Sequence, residues 1–97
     1  MIIKKKKIGK FSIDGSLIEG TINNRYIGLS DILNKFIIIR AEYLYHINAV
    51  EYIAYSELFE EVPELSAVPI YEIELTLKHL ETVPNYSIIL LNYVRKL

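Results

Sequence analysis

The stretch YEIELTLKH at positions 71–79 sets Tyr71, Ile73, Leu75 and Leu77 against Glu72, Glu74, Thr76 and Lys78 in strict alternation. A helix would scatter those apolar residues around its circumference. A strand, with its side-chain period of two, puts them all on one face. Such a segment belongs in a sheet that is dry on one side and wet on the other. The same alternation places His79 on the apolar face, as a hydrogen-bonded structural histidine.

A sheet needs further strands, and the chain supplies them. After a turn at VPNY, residues 87–94 (SIILLNYV) form an apolar run rich in β-branched side chains. Residues 36–45 (FIIIRAEYLY) form another, with Ile37, Ile39, Ala41 and Tyr43 on one face and Arg40 and Glu42 on the other. Near the start, Asp14-Gly15 between strand-like runs predicts a hairpin with a two-residue turn. In that register Ile13 faces Ser16, Phe11 faces Ile18 and Lys10 faces Glu19.

Two segments read as helical. In RYIGLSDILN, Ser30 is placed as an N-cap, Asp31 sits where it complements the helix dipole, and Asn34 is a natural stop. In residues 48–62, Asn48 and Glu51 have capping-box spacing, and Val50, Ile53, Ala54 and Leu58 follow a helical period up to Pro63. Val50, Tyr52, Ile53 and Tyr55 also have strand character, but helix is the expectation for 48–62. Residues 63–69 (PELSAVP) form a loop bracketed by prolines. The whole predicts a single α+β domain over residues 1–97. It has a small, mostly antiparallel sheet or partly closed β-barrel of about five strands, an N-terminal hairpin and one or two short helices.

Composition limits the chemistry. Ninety-seven residues suffice for one core without covalent staples. The lack of cysteine excludes disulfides, thiolate zinc sites and thiol nucleophiles, and suits a reducing cytosol. The start, MIIKKKKIGK, has no apolar leader core, and no run approaches a membrane span, so a soluble cytoplasmic protein is expected. Seventeen isoleucines with no glutamine suit a thermophile, and an AT-rich genome would leave the same bias.

The stretches GTINNRYIGLSDILNKFIII and SIILLNYVRKL resemble a family of small uncharacterised bacterial proteins, a domain of unknown function with an R-x-S-D-x-L-N core motif. The matching positions are Gly20, Ile22, Arg25, Leu29, Ser30, Asp31, Leu33, Asn34, Phe36, Ile37 and Asn92. Arg25 stands three residues further from Leu29 than in the contiguous form of that motif. The resemblance covers about half the chain and implies a fold family without an assigned activity.

Enzymatic readings find little footing. Ser30 as nucleophile, His46 or His79 as base and Asp31 or Glu42 as orienter would make a hydrolase, but no G-x-S-x-G elbow surrounds Ser30. Two histidines far apart, without cysteine, are not metal-ligand spacing, and the acidic run Glu57, Glu60, Glu61 and Glu64 lacks a calcium-loop pattern. No cofactor, catalytic residue or metal is expected. Charge is more informative, because it is segregated. Lys4, Lys5, Lys6, Lys7 and Lys10 crowd the first ten residues, while 51–81 hold eight glutamates against Lys78.

The lysine run with eight tyrosines permits nucleic-acid binding, against which stands a pI near 6.1. The favoured expectation is a non-enzymatic interaction module or adaptor that self-associates. Its candidate contact residues are Lys4–Lys7, Lys10, Arg25, Glu57, Glu60 and Glu61, with Ser30, Asp31 and Asn34 as a structural motif. The partner is expected to be a second copy or another protein, with no membrane involved.

Overall fold

The computed structural model describes residues 5–63, 65–83 and 85–97. Its strands are β1 (Lys5–Lys6), β2 (Ile8–Asp14), β3 (Tyr26–Ile27), β4 (Ile37–Leu44), β5 (Ala49–Tyr55), β6 (Val62–Pro63), β7 (Tyr71–His79) and β8 (Ser87–Lys96). Helix α1 spans Gly15–Ile22 and α2 spans Leu29–Leu33. The five long strands and two short helices make the expected small α+β domain, built mostly from antiparallel pairs.

Three sheets carry it. The first has the order β2-β5-β4, the second β3-β8-β7, and β1 pairs with β6 as a two-residue clasp. The first two meet where the Lys10 N–H donates to the Pro69 carbonyl at 2.9 Å and Lys10 bridges Ile70. The sheets stay open and do not close into a barrel. Residues 71–79 form β7 as the alternation requires, with Ile73 opposite Val94 and Leu75 opposite Leu91. His79, however, lies exposed at the end of β7 and is not a buried structural histidine.

The core gathers between sheets and helices. Phe11 and Ile13 of β2, Leu29 and Ile32 of α2, Phe36, Tyr52 and Ala54 of β5, Phe59, Tyr71 and Ile89 are all buried together. Phe11 sits at its centre, its ring 4.6 Å from that of Phe36 and 5.2 Å from that of Tyr52.

Three local expectations are overturned, each by tertiary context. The N-terminal hairpin does not form. Asp14-Gly15 opens helix α1, with the Asp14 carboxylate capping it by accepting from the Ser16 N–H at 2.8 Å. All seven residues of β2 pair with β5, so β2 needs no hairpin partner, while Leu17 and Ile18 pack on the core from α1. The 48–62 helix is replaced by strand β5. Asn48 adopts φ 49°, which ends a 3-10 turn at Tyr45–Ile47 and reverses the chain into a β4–β5 hairpin. The β-branched and aromatic character of Val50, Tyr52, Ile53 and Tyr55 prevails there over capping-box spacing.

The third correction concerns β4. A bulge between Ile38 and Arg40 leaves Ile39 without a partner on β5. Beyond it Ile38, Ala41 and Tyr43 share the core-side face, whereas Ile37, Arg40 and Glu42 share the other.

The Asp14 cap makes a direct prediction. Asp14→Ala should cost about 1 kcal/mol in chemical denaturation. The hydrogen bond from the Ser16 N–H holds the Asp14 carboxyl below its ordinary value of 3.8. Its contribution is therefore complete above the unfolded value and is lost as pH falls through the lower folded one. The gap between wild type and variant should close in strong acid; a gap constant down to about pH 2 would refute the cap.

Candidate interaction surface

The segregated charges meet within one chain. The β1–β6 clasp sets Lys5 opposite Pro63 and Lys6 opposite Val62, bringing the basic run against the acidic segment. Lys7 Nζ donates to Glu57 Oε2 at 2.6 Å, and this bond, aided by Glu61, pushes the lysine above its usual range. Lys6, Lys7 and Lys35 line one open groove of about 460 Å³ together with Glu57 and Glu61. Glu60 pairs with Lys96 at 3.2 Å. Lys4 lies outside the described residues, as does Glu64.

Arg25 is exposed and does not pair with Asp31 among the described residues. Its guanidinium lies 5.8 Å from the Tyr26 ring centroid, and its carbonyl accepts from the Ser87 N–H at 3.0 Å, beside the parallel β3–β8 pairing.

The motif around Ser30 is structural in a different way from the one expected. Helix α2 is capped by Gly28, not Ser30, and Gly28 has φ 100°. That backbone, with a Cβ that would lie 2.8 Å from the Ile89 carbonyl oxygen, admits only glycine without strain. Ser30 and Asp31 sit exposed in the first turn, Leu29 and Ile32 are buried, and Asn34 is the C-cap as expected. His46 belongs to the 3-10 turn and His79 to the end of β7, and both are exposed.

One unpartnered apolar feature is one that sequence reasoning did not single out. β4 has β5 on one side and no strand on the other among the described residues. This edge is eight residues long and contains neither proline nor lysine, two residues commonly used to blunt edges. It is also apolar and wet. Ile37 is 72% exposed, Ile39 50% and Tyr43 53%, and Tyr45 and Ile47 extend the patch into the hairpin turn. On its core-side face a groove of about 270 Å³ runs between Tyr43 and Val50 and the α1 residues Ile18, Glu19 and Ile22, with Ile22 itself largely exposed.

The charges on this edge are balanced: Arg40 and Glu42 lie on the same face and bond to each other at 3.2 Å. The signal that would have found the edge was present in FIIIRAEYLY, a strongly β-prone run whose two charges, Arg40 and Glu42, cancel. What was missing was knowledge that the run lies at the border of its sheet. Comparison with family models, with curated proteins and with solved structures finds no match to this chain.

Proposed function

We propose that the protein is a non-enzymatic interaction module that self-associates by adding a strand to the open edge of β4. One observation carries this reading: an eight-residue β-prone edge whose apolar side chains face water. Unpaired N–H and C=O groups along such an edge template a further strand, and apolar neighbours supply the burial that holds it. Tyr43 and Tyr45 suit an interface, since each ring buries apolar area while its hydroxyl stays wet.

Nucleic-acid binding through Lys4–Lys7 has less behind it, because Lys7 already holds Glu57 and Glu61 lies close by. A cytoplasmic setting fits the cysteine-free composition. No helix among the described residues is long and apolar enough to cross a membrane. The likeness to the R-x-S-D-x-L-N family enters the same proposal as a fold label. Leu29, Asn34 and Phe36 of that pattern serve helix α2 and the core.

Light scattering over a wide concentration range tests the reading. The mass should rise from the 11.3 kDa of one chain toward twice that value. A mass fixed at one chain up to millimolar concentration would refute self-association.

A further inference from the structure

We infer that two copies join β4 to β4 in antiparallel fashion, with the two-fold axis passing through Ala41. The inference rests on the self-association reading and adds its register. A two-fold interface presents the same patch from both sides, so the strand must be complementary to its own reverse. β4 is. With Ala41 on the axis, Arg40 stands opposite Glu42 of the second copy, and Glu42 opposite its Arg40. The pair that now bonds within one strand is thereby exchanged for two cross-strand pairs.

Neighbouring registers are penalised. An axis at residue 40 sets Arg40 against Arg40, and one at residue 42 sets Glu42 against Glu42. Ala41 suits the axis because its small side chain, on the core-side face, meets its own copy there. The bulge at Ile39 interrupts regular pairing beyond this point, so the pairs the axis fixes are Ala41 with its own copy and Arg40 with Glu42.

Other long strands also have open sides among the described residues: β7 borders the second sheet, and β2 is met on its outer side only where Lys10 bridges Ile70. β8 is paired by β3 only at Ser87 and Ile88, leaving residues 89–96 open on that side among the described residues. This stretch carries Arg95 and Lys96 without an acidic residue, so it has no charge complement to its own reverse. Pairing β4 of one copy with β8 of the next would be head to tail and would not close. β4 on β4 closes as a dimer.

The test uses charge reversal at exposed positions, checked by far-ultraviolet circular dichroism for folding. R40E and E42R should each weaken self-association about tenfold or more, because each puts two like-charged pairs across the axis. Mixing the two variants in equal amounts should restore wild-type assembly. In the mixed dimer position 40 of each copy again meets a side chain of opposite charge at position 42 of the other. The double variant R40E/E42R should also assemble, being complementary to itself again.

Single variants that associate like wild type would overturn the register while leaving self-association intact. So would growth beyond two chains, which signals head-to-tail pairing. A wild type that is monomeric throughout overturns both readings. Ala41→Cys, which introduces the only thiol in the chain, gives a second measure. Mild oxidation should cross-link it to a dimer at concentrations where Ser12→Cys, on the strand at the opposite border of the sheet, stays uncoupled. Equal coupling of both would argue against the axis at Ala41.

Discussion

Phe11→Ala should lower the free energy of unfolding by about 3–5 kcal/mol, read as a fall in the urea midpoint. For a domain of this size that is a large share of the total, which for small proteins is about 5–15 kcal/mol. Phe11 is 1% exposed and its ring touches the faces and edges of three others, Phe36, Tyr52 and Phe59. Removing it opens a cavity that the rings cannot collapse into, because they are fixed from three elements. Phe36 precedes β4, Tyr52 belongs to β5, and Phe59 follows β5 in the acidic loop. Phe11→Leu should cost much less, since it keeps most of the volume. A loss below about 1 kcal/mol for Phe11→Ala would mean that these rings do not form the centre of the core.

The second large effect runs the other way, through overpacking. Gly9→Val should destabilise by about 1–3 kcal/mol or more. A Cβ at Gly9 would lie 2.7 Å from the Tyr71 ring and 2.9 Å from the Phe59 ring. Neither ring is free to move aside: their centroids are 4.4 Å apart, and the Tyr71 hydroxyl accepts from the Glu60 N–H at 2.9 Å. Gly9 is paired across the sheet with Ala54, which is fully buried. Two small residues thus make the hollow that the Phe59 and Tyr71 rings fill. Combining Gly9→Ala with Phe59→Leu should cost less than the sum of the single changes, because the leucine yields space that the methyl needs. Strict additivity in that cycle would remove the packing explanation.

These two positions also divide what was legible in the chain from what was not. Phe11 was readable as a core residue from its place in an alternating run. Gly9 was not, because the rings that forbid a side chain there come from residues 59 and 71. The strand 71–79 was readable for the same reason as Phe11, since a period of two is a property of neighbours. Residues 36–45 were readable as a strand from their β-branched and aromatic run, although their faces were not. The hairpin at Asp14-Gly15 failed because the same dipeptide serves both a tight turn and a helix N-cap. Leu17, Ile18 and Thr21 carried a helical spacing that could have decided it, with the Thr21 hydroxyl donating to the Leu17 carbonyl at 2.8 Å. At 48–62 the capping-box pattern and the β-branched run competed, and pairing with both β2 and β4 settled the matter.

The candidate surface follows the same division. The segregation of lysines and glutamates was plain in the sequence, but whether they would pair within a chain or between chains was not. In this fold the β1–β6 clasp joins them internally, with Lys7 on Glu57. That shifts the interaction hypothesis from the charge runs to the β4 edge, whose residues were visible but whose exposure was not.

The sequence by itself determined the class of domain, the positions of the long strands β4, β7 and β8, and the faces that β7 turns to the core. Local periodicity and side-chain shape are enough for those. The tertiary structure alone decided that Gly9 must stay bare and that β4 lies at the border of its sheet. Each depends on which distant segments arrive as neighbours, and strand order is set by packing of the whole chain, not by any stretch of it.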